Sequence, residues 1–309
     1  MAVVYSSRYH VDIGTHVFPT AKYHLVADRI RSTHPDAVFQ EPEPASWDDL
    51  ARVHTDDYLR KLQSGDFDLG ELAQLEIPWS PDIVEGFRLM TGGTVAAARR
   101  ALDGREAGAP ATVFHIGGGF HHAFANHGEG FCLFNDVAVA LRCLLDSRAI
   151  AGAAVIDLDV HHGNGTAFIF EREPRVFTFS MHQELNYPAF KPRGSLDVGL
   201  PDGAGDELYL ERLAASLPRV VGSEPDLVCY LAGADPFVED QLGGLSLTKN
   251  GLRARDRMVL GVCAEHAVPV VVLLAGGYAR RLEDTVDIHA GTFDEVLRSV
   301  PPHPRTPRS

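Results

Sequence analysis

Six short runs constrain this chain more than any other feature. Ala2–Tyr5, Thr112–Ile116, Ala151–Asp157, Val176–Phe179, Leu227–Leu231 and Val268–Leu274 are mostly apolar at odd and even positions alike. A strand with one wet face alternates, whereas a strand that is apolar throughout has to be covered on both sides, as in a parallel sheet. Helical patterns separate the runs. Pro81–Leu102 follows Ser80, an N-cap residue ahead of a proline at the first helical position. Asp136–Leu145 follows a second cap, Asn135, and Asp206–Ser216, Lys249–His266 and Thr292–Ser299 complete the set. The alternation predicts a single-domain α/β fold, with a central, mostly parallel, doubly wound sheet covered by helices on both faces. The domain is expected to occupy residues 1–300, with a disordered tail at 301–309. Phe39–Leu50 (FQEPEPASWDDL) reads as a proline-broken loop inside it.

Open sheets of this kind bind ligands beyond the carboxyl ends of their strands. The unusual polar residues gather there. VIDLDVHHGNG, residues 155–165, sets two aspartates and two histidines at the end of a buried strand. An unpaired buried carboxylate is costly, so these groups have to solvate an ion or pair with each other. Asp157, Asp159 and His161 have the i, i+2, i+4 spacing of one strand face. Two of the three can reach one ion; the third, about 7 Å back along the strand, serves a second ion or a hydrogen bond.

HIGGGFHHAFANHGEGFCLFND, His115–Asp136, again follows a strand. Its glycines allow close approach, and His121-His122 could relay protons near neutral pH. Phe131 beside Gly130 and Cys132 could wall a slot or simply pack. In YLAGADPFVEDQLGGLSL, Tyr230–Leu247, Asp235 could close a His/Asp/Asp metal set or cap a loop. In VVVLLAGGYARR, Val270–Arg281, Tyr278 could donate to a developing oxyanion or be an amphipathic tyrosine at an edge.

Charge narrows the partners. With 28 basic and 42 acidic residues, the net charge of −14 argues against a nucleic-acid groove and against an anionic membrane surface. It suits a basic substrate such as a lysine side chain or a polyamine, and it also serves solubility. Cys132, Cys143, Cys229 and Cys263 form no C-x-x-C pair, so no zinc ribbon or disulfide framework is suggested. The opening MAVVYSSRYH lacks the layout of a signal peptide, and charge interrupts every apolar run short of a membrane span. A reduced, cytoplasmic protein is expected.

Taken in this order, GGGFHHA…GFC…ND, IDLDVHHGNG, AGADP…D.LGGLSL and GGY resemble the zinc-dependent histone deacetylase superfamily, which has the arginase/deacetylase fold. The resemblance runs from about Tyr5 to about Ala290, and the short chain looks most like the class IV branch and its bacterial deacetylase-like relatives. It implies that Asp159, His161 and Asp235 hold zinc, that His121 and His122 form the catalytic dyad, and that Tyr278 stabilises the transition state. It implies that Asp157 bonds the first dyad histidine and joins a structural potassium site, together with Ser180 and with backbone carbonyls near Asp159, His161 and Met181. Phe131 matches one wall of an acyl-lysine tunnel, and Gly130 the glycine whose carbonyl accepts the substrate amide. For the other wall, HQELNYPAF offers Tyr187 first and Phe190 second.

Two departures stand out. Asn164 replaces the aspartate that class I members place behind the second histidine. The acidic rim residue of the larger enzymes has no clear counterpart in Leu75–Phe87. The activity implied is removal of an acetyl or longer fatty acyl group from the lysine ε-amine of proteins. The alternatives are an acetylpolyamine or other small-molecule deacetylase, a di-manganese ureohydrolase on the same fold, and an acyl-lysine binding module. Acyl length and oligomeric state are not legible.

Overall fold

The computed structural model describes residues 2–106 and 111–299. The expected tail, 301–309, lies outside them. Among the described residues eight strands form one sheet: β1 (Ala2–Val4), β2 (Val38–Gln40), β3 (Thr112–His115), β4 (Ala153–Asp157), β5 (Val176–Gln183), β6 (Leu196–Leu200), β7 (Leu227–Leu231) and β8 (Val270–Leu273). Their order is β2-β1-β3-β8-β7-β4-β5-β6, and every pairing is parallel. Every residue of β4, β7 and β8 is buried whatever its parity, so helices cover both faces. On one side Pro81–Glu106 packs on β3, β8 and β7 and against Asp136–Asp146. Elsewhere Lys22–Thr33, Leu282–Ser299, Lys249–Glu265 and Asp206–Val221 pack in series.

All six apolar runs are strands. The two missed strands lie at the sheet edges, where burial on both faces is not needed. β6 alternates along its length, and β2 is a three-residue stub whose last two residues fall in the segment read as a loop. Among the described residues five α-helices were missed: Lys22–Thr33, Trp47–Leu50, Asp56–Ser64, Leu69–Leu75 and Asn164–Phe170. The helix read as Thr292–Ser299 begins ten residues earlier, at Leu282. That read as ending at Ser216 runs through Pro218 to Val221. The two caps are as expected: Ser80 accepts from the amide of Ile83 and Asn135 from that of Ala138.

The register decides where the chemistry goes. His115, Leu273, Leu231 and Asp157 pair in one row across β3, β8, β7 and β4. These are the last residues of four neighbouring strands, so four loops leave the sheet at one level. With adjacent strands about 4.8 Å apart, the four exits span about 14 Å. The clusters that start at His115, Val155, Tyr230 and Val270 are distant in sequence and adjacent here. No helix among the described residues is long and apolar enough to cross a membrane.

A buried arginine ties two of these loops together. Arg255 Nη1 donates to the carbonyls of Gly233 (2.6 Å) and Leu158 (3.4 Å), while Nε donates to Asp256 at 2.9 Å. Asp256 also accepts from Tyr230 and Thr292. Removing one partner of a buried pair leaves an uncompensated charge, so Arg255→Met should cost about 3–5 kcal/mol. Urea unfolding checks this, and a loss under about 1 kcal/mol would show that the clamp contributes little.

Candidate active site

β4 ends at Asp157, before the three-residue face that its spacing suggests could form. The chain turns instead. Asp157 points to His121, and only Asp159 and His161 go on to meet Asp235 from the loop after β7. One donor atom from each of these three lies within 4.8 Å of the others, and all three side chains are buried. His161 Nδ1 is 3.0 Å from Asp159 Oδ1 and 3.6 Å from Asp235 Oδ2.

Backbone amides hold the outer oxygens. Gly276 N donates to Asp159 Oδ2 at 2.7 Å, and Val160 N to Asp235 Oδ1 at 2.9 Å. Gly276 has to be glycine, because a Cβ there would lie 1.9 Å from Asp235 Oδ2. That oxygen is buried and has no hydrogen-bond partner. Burial and the charge of Asp159 raise the Asp235 pKa. Burial lowers that of His161, but the two carboxylates outweigh it and raise it to about 10. Two buried carboxylates, an imidazole and one orphaned oxygen fit a divalent cation.

The histidine pair stands beside this group. Its loop is anchored by Asp136, which accepts from the amides of Gly119 and Phe120 and from the hydroxyl of Thr94. His121 Nδ1 is 2.6 Å from Asp157 Oδ2, His122 Nδ1 is 2.7 Å from Asn164 Oδ1, and the two Nε2 atoms are 3.1 Å apart. Burial lowers the pKa of both rings. Asp157 and Asp159 reverse this for His121 and raise it to about 9, whereas His122, beside the charge of His121, falls well below the ordinary range. Tyr278 completes the wall. Asp240 Oδ2 accepts from its amide at 2.7 Å, while Oδ1 holds the amides of Leu242 and Gly243. Burial and the charges of Asp159 and Asp235 keep the phenol protonated.

A cavity of about 160 Å³ leads in from solvent, lined by Phe131, Tyr187, Gly130, Leu242 and Glu76 among others. Tyr187 stands edge-on to His122 at 5.0 Å. Phe190 is 60% exposed and faces Phe124, so Tyr187 is the second wall. Phe131 has φ +68° and stacks on Phe18. Within the segment read as having no clear acidic rim residue, Glu76 lines this cavity, in the left-handed conformation after helix Leu69–Leu75. A further cavity of about 20 Å³ lies behind, between Phe18, Cys132, Ala275 and Tyr278.

Ser180 pairs with Asp157 across the sheet, and Met181 follows it, buried. A cavity of about 10 Å³ touches Asp157 and Ser180. A larger one, about 340 Å³, opens near Ala153 and Val176, at the opposite end of these strands. Sequence reading missed Asp136, Asp240 and Arg255. The first two lie inside quoted motifs, but nothing in the residue type reveals which amides an aspartate will hold. All four cysteines are free and buried.

Comparison with known proteins agrees with this geometry. Residues 16–292 match the histone deacetylase domain family. An uncharacterized protein of Picosynechococcus sp. is 39% identical over 292 residues, covering 91% of this chain and 95% of that protein. Histone deacetylase 2 of Arabidopsis thaliana is 30% identical, covering 93% and 78%. The histone deacetylase-like amidohydrolase of Pseudomonas aeruginosa is 32% identical, covering 76% and 65%. The crystal structure of the HDA15 HD domain superposes with a TM-score of 0.78 at 23% identity, covering 96% and 91%, a likeness of fold.

A cation bound only by the folded state stabilises it by about 2.7 kcal/mol at a hundredfold excess over Kd. Adding a divalent cation to chelator-stripped protein should therefore raise Tm, and Asp235→Ala and Gly276→Ala should abolish the rise. An equal rise in either variant would place the ion elsewhere.

Proposed function

The chain belongs to the histone deacetylase family, and on that premise we propose that it is a zinc-dependent amide hydrolase that removes an acyl group from the ε-amine of lysine. The observation that carries the reading is the convergence of Asp159, His161 and Asp235 beside the histidine pair, at the floor of a cavity walled by two aromatic rings. Zinc held by these three side chains would keep open positions and supply Lewis acidity, polarising a carbonyl and acidifying water.

The chain's own residues do the rest. Phe131 and Tyr187 flank the aliphatic stem of the substrate, and the Gly130 carbonyl accepts its amide hydrogen. His121 and His122, linked through their Nε2 atoms, take a proton from the attacking water and return one to the leaving amine. The Tyr278 hydroxyl donates to the carbonyl oxygen as negative charge builds there. Asp157 holds the His121 ring by its Nδ1. The inner cavity of about 20 Å³ is little more than one water needs, which favours acetyl over a long fatty acyl group. Asp157 and Ser180, with carbonyls of Asp159, His161 and Met181, form the proposed potassium site. Replacing potassium by a large organic cation should lower Tm.

A di-manganese reading finds less support, since the described residues bring only one three-ligand group together. An acylated polyamine is favoured by one observation, the exposed carboxylate of Glu76 on the lining of the cavity. A panel of lysine peptides and polyamines, acetyl to myristoyl, separates these substrates. Tyr278→Phe should keep the metal-linked rise in Tm and lose about 10²–10³ in kcat. Unchanged turnover would remove Tyr278 from the mechanism.

A further inference from the structure

The neutral partner of His122 is itself backed by a charge. Asn164 Oδ1 meets His122 Nδ1 at 2.7 Å, and Asn164 Nδ2 donates to Glu129 Oε1 at 2.6 Å. An ionised carboxylate only accepts hydrogen bonds. It takes the NH2 end of the amide, and the amide then turns its oxygen to the imidazole. That oxygen also only accepts, so the proton of neutral His122 sits on Nδ1, and Nε2, facing His121, keeps its lone pair.

We propose that Glu129 is a positioning residue: through Asn164 it fixes His122 as the Nδ1–H tautomer and so leaves the Nε2 lone pair turned to His121. The carboxylate that a direct histidine–aspartate pair would hold against the ring has moved one residue outward, behind an amide. This inference rests on the deacylase reading of the site.

Glu129 is built into its place. Oε2 accepts from Gln74 Nε2 at 3.0 Å and lies 3.4 Å from His127 Nε2. Its backbone exchanges hydrogen bonds with Cys132, closing the turn that carries Gly130 and Phe131. Burial raises its pKa, but the bonds from His127, Asn164 and Gln74 outweigh this and keep the carboxylate ionised. With a neutral group at this position the Asn164 amide has no fixed direction. Turned over, it offers NH2 to Nδ1 and selects the tautomer with the proton on Nε2, which takes away the lone pair that His121 Nε2 faces.

The test exchanges the two groups. E129Q, N164D and the double variant E129Q/N164D are compared by kcat and KM on an acetyl-lysine peptide. In parallel, 15N shifts of the His122 ring are recorded on histidine-labelled protein. In E129Q two amides stand in series and can run either way, so His122 should become a mixture of tautomers. Its kcat should fall about tenfold or more, by analogy with tautomer loss in catalytic triads, with KM within about twofold. N164D should also fall, because it sets two carboxylates against each other at hydrogen-bond distance. The double variant again has an amide donating to a carboxylate, with the order reversed, and its kcat should recover to within about threefold of wild type.

A single Nδ1–H form and unchanged kcat in E129Q would overturn the proposal, as would a double variant as impaired as the product of the singles. A change in KM alone would make Glu129 only a brace for the tunnel wall. The ring shifts need no turnover. If wild type cleaves no acyl-lysine substrate but E129Q still loses the Nδ1–H form, the positioning role holds and the functional reading falls. If wild type is active and the shifts ignore E129Q, the reverse is true.

Discussion

The molecule is organised around two carboxylates that have been taken out of water. Asp159 and Asp235 are both buried and flank one imidazole. Left alone, like charges this close disfavour the state in which both ionise. The structure meets that cost with backbone amides from Gly276 and Val160, with the buried guanidinium that braces both loops, and with an arrangement suited to a cation. Each of these demands something of the fold. The amides need a glycine where no side chain fits, and the guanidinium needs its own carboxylate, which recruits Tyr230 and Thr292. Much of the polar interior follows from one desolvated group.

The sheet is what makes the group possible. Parallel strands in the order β3-β8-β7-β4 end in one row, so four loops leave the sheet side by side. The proposed ligands are held stiffly, because Asp159, His161 and Asp235 sit two to four residues beyond paired backbone. The tunnel is built differently. Its walls come from loops with left-handed residues, Phe131 and Glu76, held by hydrogen bonds and ring contacts and not by the sheet. The proposed chemistry therefore rests on the stiff part of the structure, and the proposed selectivity on the part most easily altered.

Much of this was legible in the sequence, and the reason is physical. Central strands declare themselves because burial on both faces demands unbroken apolar runs, and candidate ligands declare themselves because charged residues at such strand ends need an explanation. The edge strand β6 carries no such demand, so it went unread. Short helices such as Leu69–Leu75 are fixed by caps and tertiary packing more than by pattern. The place of Glu76 on the cavity was invisible because it depends on a left-handed turn of a non-glycine residue. Glu129 was quoted within its motif without a role, since only the folded loop shows that it backs Asn164. Side chains that bond to backbone, such as Asp136 and Asp240, are legible as types but not as contacts.

The most direct measurement is anomalous diffraction at the zinc absorption edge from crystals of the zinc-loaded protein. The account predicts one strong peak, about 2.0–2.2 Å from a carboxylate oxygen of Asp159, Nδ1 of His161 and a carboxylate oxygen of Asp235. A peak ligated by other residues, or a second ion of equal occupancy sharing these ligands, would contradict it.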